Sequence, residues 1–200
     1  MMSAPERLVA RLTQAFLDVG FEQSSMSGLA KACGLTRRAL YHHFSNKEEA
    51  FRFMLRRNGE EAIRTGLEAG QATLDAGGSA VEIVTQIMDV RYGEARRRLS
   101  QSPHATEVND QAFRLARDIM VEAAVVFQRQ VAAVIVAMEA RGLLKLKAGV
   151  TPEALAQTLC DGARGTNQTL PPIPATELVN RYRAMMTAIL FGTAEGMGRG

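Results

Sequence analysis

The sequence predicts an all-α protein, and three observations carry that expectation. Apolar residues recur three and four apart along most of the 200 positions. Helix-start signals stand ahead of these runs: Ser or Thr followed three residues later by Glu, or by Pro at the first helical position. No stretch alternates apolar and polar residues as a half-buried strand does. Apolar side chains make up 46% of the chain, enough for a sizeable core.

Taken in order, the first helix starts at Ser3-x-x-Glu6, with Pro5 in its first turn, and runs to Val19. Leu8, Leu12, Ala15, Phe16 and Val19 form its apolar stripe, and Gly20 stops it. A second helix covers Met26 to Cys33 with Ser25 as N-cap. Gly34 makes a turn, and a third, short helix runs from Thr36 or Arg37 to Phe44. Ser45-x-x-Glu48 reads as a second capping box, opening a long fourth helix to about Leu74. Gly59, Gly66 and Gly70 predict bending or fraying there, and Gly77-Gly78 ends it. Further helices are expected at 79–100, 107–141, 152–168 and 175–196, the second of them long enough to be interrupted. Thr151-Pro152 opens the third of these. Leu170-Pro171-Pro172-Ile173-Pro174 is a stiff connector, because proline fixes its own φ and restricts its predecessor.

The 24 Lys and Arg against 21 Asp and Glu leave a net charge of only +3. All of that excess lies in residues 1–64, which hold ten basic and seven acidic side chains. A small nucleic-acid-binding head on a neutral body has this distribution. No uncharged apolar run reaches the ~18 residues of a membrane span. The start has no apolar signal core, so a cytoplasmic protein without a membrane partner is expected. Cys33 and Cys160 form no CxxC pair and read as buried, reduced thiols.

Residues 29–40, Leu-Ala-Lys-Ala-Cys-Gly-Leu-Thr-Arg-Arg-Ala-Leu, read as two helices around a tight turn. Small Ala30 permits a close crossing, Gly34 accepts a positive φ, and Leu29, Cys33, Leu35 and Leu40 lock the pair. The outward face of the second helix is then Arg37, Arg38, Tyr41 and His42, positioned for a major groove. Arg donates bidentately to guanine or to phosphate, and Tyr41 stacks or donates its hydroxyl. Lys47 lies where a flanking phosphate would pass. Ser25 and the free N–H groups of its helix offer another phosphate contact.

The wider string, Ala15-Phe16, Gly20-Phe21, Ser24-Ser25-Met26, Leu29-Ala30, Gly34-Leu35-Thr36 and Leu40-Tyr41-His42-His43-Phe44-Ser45-Asn46-Lys47-Glu48, closely resembles the N-terminal domain of the TetR family of regulators. The resemblance covers about residues 6–55. It implies an all-α homodimer: an N-terminal three-helix helix-turn-helix domain (1–50), followed by a larger helical ligand-binding and dimerisation domain (51–200). Its implied partners are double-stranded operator DNA and an unidentified small-molecule effector, and its implied function is a repressor released by that effector. By matched position, Ser25 and Ser27 would contact DNA from the second helix, with Arg37, Arg38 and Ala39 at base-reading positions. Tyr41, His43 and Lys47 would be backbone anchors. Thr36 and His42 complete the expected DNA-contacting set.

Expectations for the body are looser. Met88, Arg91, Tyr92, Arg117, Met120, Val121, Phe127 and Gln128 are candidates for the effector pocket, and read equally as core. Leu155, Leu159, Gly162, Tyr182, Met185, Met186 and Ile189 are spaced as a helix-pair interface, expected between protomers. Arg96-Arg97-Arg98 reads as a solvated helix end. His42 and His43 point about 100° apart on a helix, and His104 reads as a solvated loop residue, so no metal site is expected. No cofactor is expected either. No HExxH, GxSxG, P-loop or paired acid–base constellation appears, which argues against an enzyme. An architectural DNA protein without an effector is the competing class, disfavoured by the modest charge excess.

Overall fold

A computed structural model describes residues 3–195. Its helices are α1 (Ala4–Val19), α2 (Met26–Cys33), α3 (Arg37–His43), α4 (Lys47–Asp75), α5 (Ala80–Met88), α6 (Glu94–Leu99), α7 (Ala105–Leu115), α8 (Arg117–Ala140), α9 (Pro152–Asn167) and α10 (Leu178–Thr193). The all-α expectation holds. A two-residue antiparallel pair is the one strand feature not anticipated among the described residues: β1 (Lys145–Leu146) against β2 (Ala194–Glu195).

Local chemistry fixes the first boundaries. The Ser3 hydroxyl accepts the Glu6 N–H while the Glu6 carboxylate accepts the Ser3 N–H, closing the expected box. Ser25 and Thr36 cap α2 and α3 through the N–H groups of Gly28 and Ala39. Gly34 stands between them at φ 67°, where a side chain is disfavoured. The fourth cap differs by one residue from its expected position. The Asn46 side chain accepts the Glu49 N–H at 2.8 Å, and the Glu49 carboxylate accepts from the Ser45 N–H and hydroxyl. Hydrogen bonds from Ser45 hold the Glu49 carboxyl below its ordinary range.

Two predicted segments are subdivided. The 79–100 run is α5, a π-helical turn at Asp89–Gly93, and α6. The 107–141 run breaks at Ala116 (φ −137°, ψ 26°) into α7 and α8. The last helix was expected to reach 196; it ends at Thr193, and residue 196 lies outside the described residues. In α8, an 18-residue window reaches a mean hydropathy of 1.7, enough by length and composition to cross a bilayer, although it contains charged residues.

The chain divides into two compact units. One runs to Glu61 and includes Arg98–Ala123; the other comprises Ala62–Arg97 and the residues from Ala124 onward. In the first, Phe16, Phe21 and Phe51 meet ring to ring at 5.0–6.0 Å. Leu12, Leu29, Leu40, Val108 and Ala112 complete that core. In the second, Ile83, Ile87, Met88, Ile135, Met138, Leu159, Tyr182 and Met186 are buried. Close approach explains the glycines of α4 in this unit. A Cβ on Gly66 would lie 3.1 Å from the Ile87 carbonyl oxygen and 3.2 Å from the Arg91 Cβ. One on Gly70 would lie 2.3 Å from Ile87 Cγ1. The expected fraying is absent, because these glycines admit a neighbouring element and α4 stays helical to Asp75.

Candidate nucleic-acid interface

The α2–α3 corner is assembled by burying one side of each short helix. Leu29, Ala30, Cys33 and Leu40 are buried, Leu40 completely. That leaves Ser25, Ser27, Thr36, Arg37, Arg38, Tyr41, His42 and His43 exposed, while Lys47 is half-buried. Ala39 is half-buried beside them. The Arg37 guanidinium lies 5.5 Å from the centre of the Tyr41 ring, so a cation–π contact preorganises one turn of the outward face. Ser25 and Thr36 use a hydroxyl lone pair as a cap, and each retains an O–H able to donate to a phosphate.

Lys47 does more than its charge suggests. Its ammonium donates to the carbonyls of Phe21 and Glu22, both at 2.9 Å, and lies 4.6 Å from the centre of the Phe21 ring. The start of α4 is thereby tied to the α1–α2 corner. Other positioning residues carry no sequence signal, because their partners are far away along the chain. Arg11 donates to the Cys33 carbonyl at the end of α2. The Ser102 hydroxyl donates to the Leu17 carbonyl. Glu107 accepts the Glu22 N–H at 2.7 Å, and Gln111 donates to the Glu22 carboxylate at 2.6 Å. The backbone bond from Glu22 is the first cause holding the Glu107 carboxyl below its usual range. His104 corrects an expectation: it is half-buried, with Nδ1 3.3 Å from Glu107, rather than solvated. Arg52 binds Asp118 with two nitrogens, at 2.9 and 2.6 Å, and this pulls the Asp118 carboxyl down to about 2.

The body candidates scatter. Arg117, Met120 and Val121 belong to the first unit; Met88, Arg91, Tyr92, Phe127 and Gln128 belong to the second. Met88 and Phe127 are fully buried. Arg91 lies 4.9 Å from the centre of the Tyr92 ring and 5.5 Å from that of Phe127, and the two rings meet edge to face at 5.8 Å. An open cleft of 480 Å³ in the second unit, lined by Thr73, Glu82, Thr85, Val179 and Arg183 among others, contains none of the effector candidates. Arg97 corrects the reading of the three arginines: it forms a two-nitrogen pair with Asp89 at 2.8 and 3.1 Å.

Of the candidates for an interface between protomers, Leu155, Leu159, Tyr182 and Met186 have at most 1% exposure within one chain. Side chains sealed in that way meet their own core, so their expected place against a partner is corrected. Gly162, Met185 and Ile189 form the contact between α9 and α10. A Cβ on Gly162 would lie 2.9 Å from Ile189 and 3.1 Å from Met185. Both cysteines are buried free thiols. Among the described residues no group of His, Cys, Asp and Glu is arranged to hold a metal.

Residues 8–52 match the family profile described as bacterial regulatory proteins, tetR family. The fold is similar to several solved structures. A TetR transcription regulator from Haloarcula marismortui shares 14% identity at a TM-score of 0.71, with 96% of this chain and 98% of that one covered. PfmR, a TetR-family transcriptional regulator from Thermus thermophilus, shares 18% at 0.60, with both chains covered in full. SmeT, the repressor of the Stenotrophomonas maltophilia multidrug efflux pump SmeDEF, shares 14% at 0.64, covering 99% and 94%.

Proposed function

We propose that this chain, whose residues 8–52 match the tetR-family profile, is a homodimeric repressor of that family, released from a near-palindromic operator by a small molecule. The observation that carries this reading is the outward row Arg37, Arg38, Tyr41 and His42, exposed on a helix whose opposite side is anchored by fully buried Leu40. A recognition helix needs that division. Arg37 and Arg38 read bases, and Ser25, Ser27, Thr36, Tyr41, His43 and Lys47 address the backbone. Residues 1–50 act as the DNA head, and residues 51–200 receive effector and partner.

Two such heads match a palindrome if the protomers pair through the sides of α9 and α10 that the chain leaves open, where Val179 and Phe191 are exposed. The hydrogen bonds that Ser102 and Gln111 donate to the α1–α2 corner, and the one Glu107 accepts from it, support coupling, because they make the head sensitive to where α7 stands. An effector alters DNA affinity only through different affinities for two head arrangements.

Selection of binding sites from a random duplex pool tests the reading. The expected result is an enriched inverted repeat bound by a dimer and released by a small-molecule fraction of host extract. Enrichment of no sequence would favour the architectural class. An inverted repeat that no fraction releases would remove the effector.

A further inference from the structure

The π-helical turn Asp89–Gly93 carries Arg91, a half-buried arginine of the second unit. Arg91 makes no hydrogen bond or ion pair, and its Nε is sealed from solvent without a partner. Its two terminal nitrogens also lack hydrogen bonds, but they are not sealed. Glu94, three residues on, is exposed and makes no ion pair with Arg91, and two other acids of this unit are already committed. Asp89 is held by both terminal nitrogens of Arg97, and Asp161 is held by Arg164. What else faces the guanidinium is uncharged: the Tyr92 and Phe127 rings, and the Cys160 thiol beside Tyr92. Burial pushes the Tyr92 hydroxyl up to about 12 and the Cys160 thiol up to about 11, so both are neutral at physiological pH.

A desolvated cation without a counter-charge is costly, and ring faces offset only part of that cost. Burial presses the Arg91 pKa down, as expected of a charge left uncompensated. Interrupting α5–α6 by a π-turn is a device found often where a helix serves a ligand. Arg164 adds a second positive field from α9, which disfavours a cationic guest.

We propose that Arg91 is the anion-recognising group of the effector site. Its open nitrogens would take the carboxylate or sulfonate of an amphiphilic monoanion, whose apolar body lies against the half-buried Tyr92 ring. The proposal rests on the effector reading above and names the chemical class of that effector. A planar fork that donates two parallel hydrogen bonds suits such a headgroup.

The test uses the full chain and two dyes of matched shape: anilinonaphthalenesulfonate, an apolar monoanion, and uncharged phenylnaphthylamine. The anionic dye is expected to bind the wild type saturably and to lose about tenfold or more in affinity in Arg91→Met, with the uncharged dye unaffected. Removing an uncompensated charge should leave the Arg91→Met melting temperature unchanged or higher. Arg91→Gln, which keeps polarity without charge, carries the same dye expectation if the Met variant fails to fold. Anionic dye that does not bind, or binds both variants as it binds wild type, overturns the proposal; so does equal loss of both dyes. Dye bound through Arg91 without release of operator DNA keeps the site and removes the release reading. Host extract that releases DNA equally from wild type and Arg91→Gln does the reverse.

Discussion

The ammonium of Lys47 donates to two carbonyls and covers a ring face at the α1–α2 corner, so its substitution acts on folding. Lys47→Met should cost about 1–3 kcal/mol of stability, measured by urea unfolding, because charge-assisted bonds and a cation–π contact are lost together. A lysine acting only on phosphate would leave the unfolding midpoint unchanged. Asp118 offers a second check on the first unit. Its pKa of about 2 lies below the ~3.9 of an unfolded aspartate. Its contribution to stability is therefore present above that unfolded value and is lost as pH falls through about 2. In an NMR titration the Asp118 carboxyl should move at about 2 in the wild type and return to the ordinary aspartate range in Arg52→Gln. An unchanged midpoint in the variant would mean that Arg52 is not the cause.

At the scale of elements, the three glycines of α4 separate by their surroundings. Gly66→Val should destabilise by about 1–3 kcal/mol, since its Cβ would press on backbone and on Arg91 and overpacking outweighs helix propensity. Gly59→Ala meets only the Ala123 methyl, at 4.0 Å, and should gain up to about 1 kcal/mol from propensity. Urea titrations of the two variants, read side by side, decide between close packing and mere helix weakening. The sequence treats these glycines alike because what they admit lies more than a dozen residues away. Caps are legible for the opposite reason: Ser3, Ser25 and Thr36 act within three residues of themselves. The α4 cap slips by one because Ser45 and Asn46 are both good N-caps with Glu three residues on. The break at Ala116 has no glycine or proline to announce it, and the π-turn has only Gly93 at its end. They arise from packing, as does the isolation of Arg91, which depends on which acids other arginines have taken.

For the whole molecule, the outward row Arg37, Arg38, Tyr41 and His42 was readable because helix-turn-helix geometry is local, and each of its side chains lies outside a core drawn mostly from residues 12–54. The body was less readable. Spacing three and four apart identifies a packed helix face without saying whether the other side belongs to the same chain, and so Leu155, Leu159, Tyr182 and Met186 proved to be core. The proposed repressor depends on the α3 face reading DNA. Its most direct test is a salt titration of binding to DNA from upstream of the gene, comparing wild type with an Arg37→Ala/Arg38→Ala double variant of confirmed dimeric state. Wild type should bind one short inverted repeat tightly, and the variant should lose about 2–6 kcal/mol of discrimination, at roughly 1–3 kcal/mol for each base-reading arginine. Equal sequence preference and equal salt slope in the two proteins would contradict it.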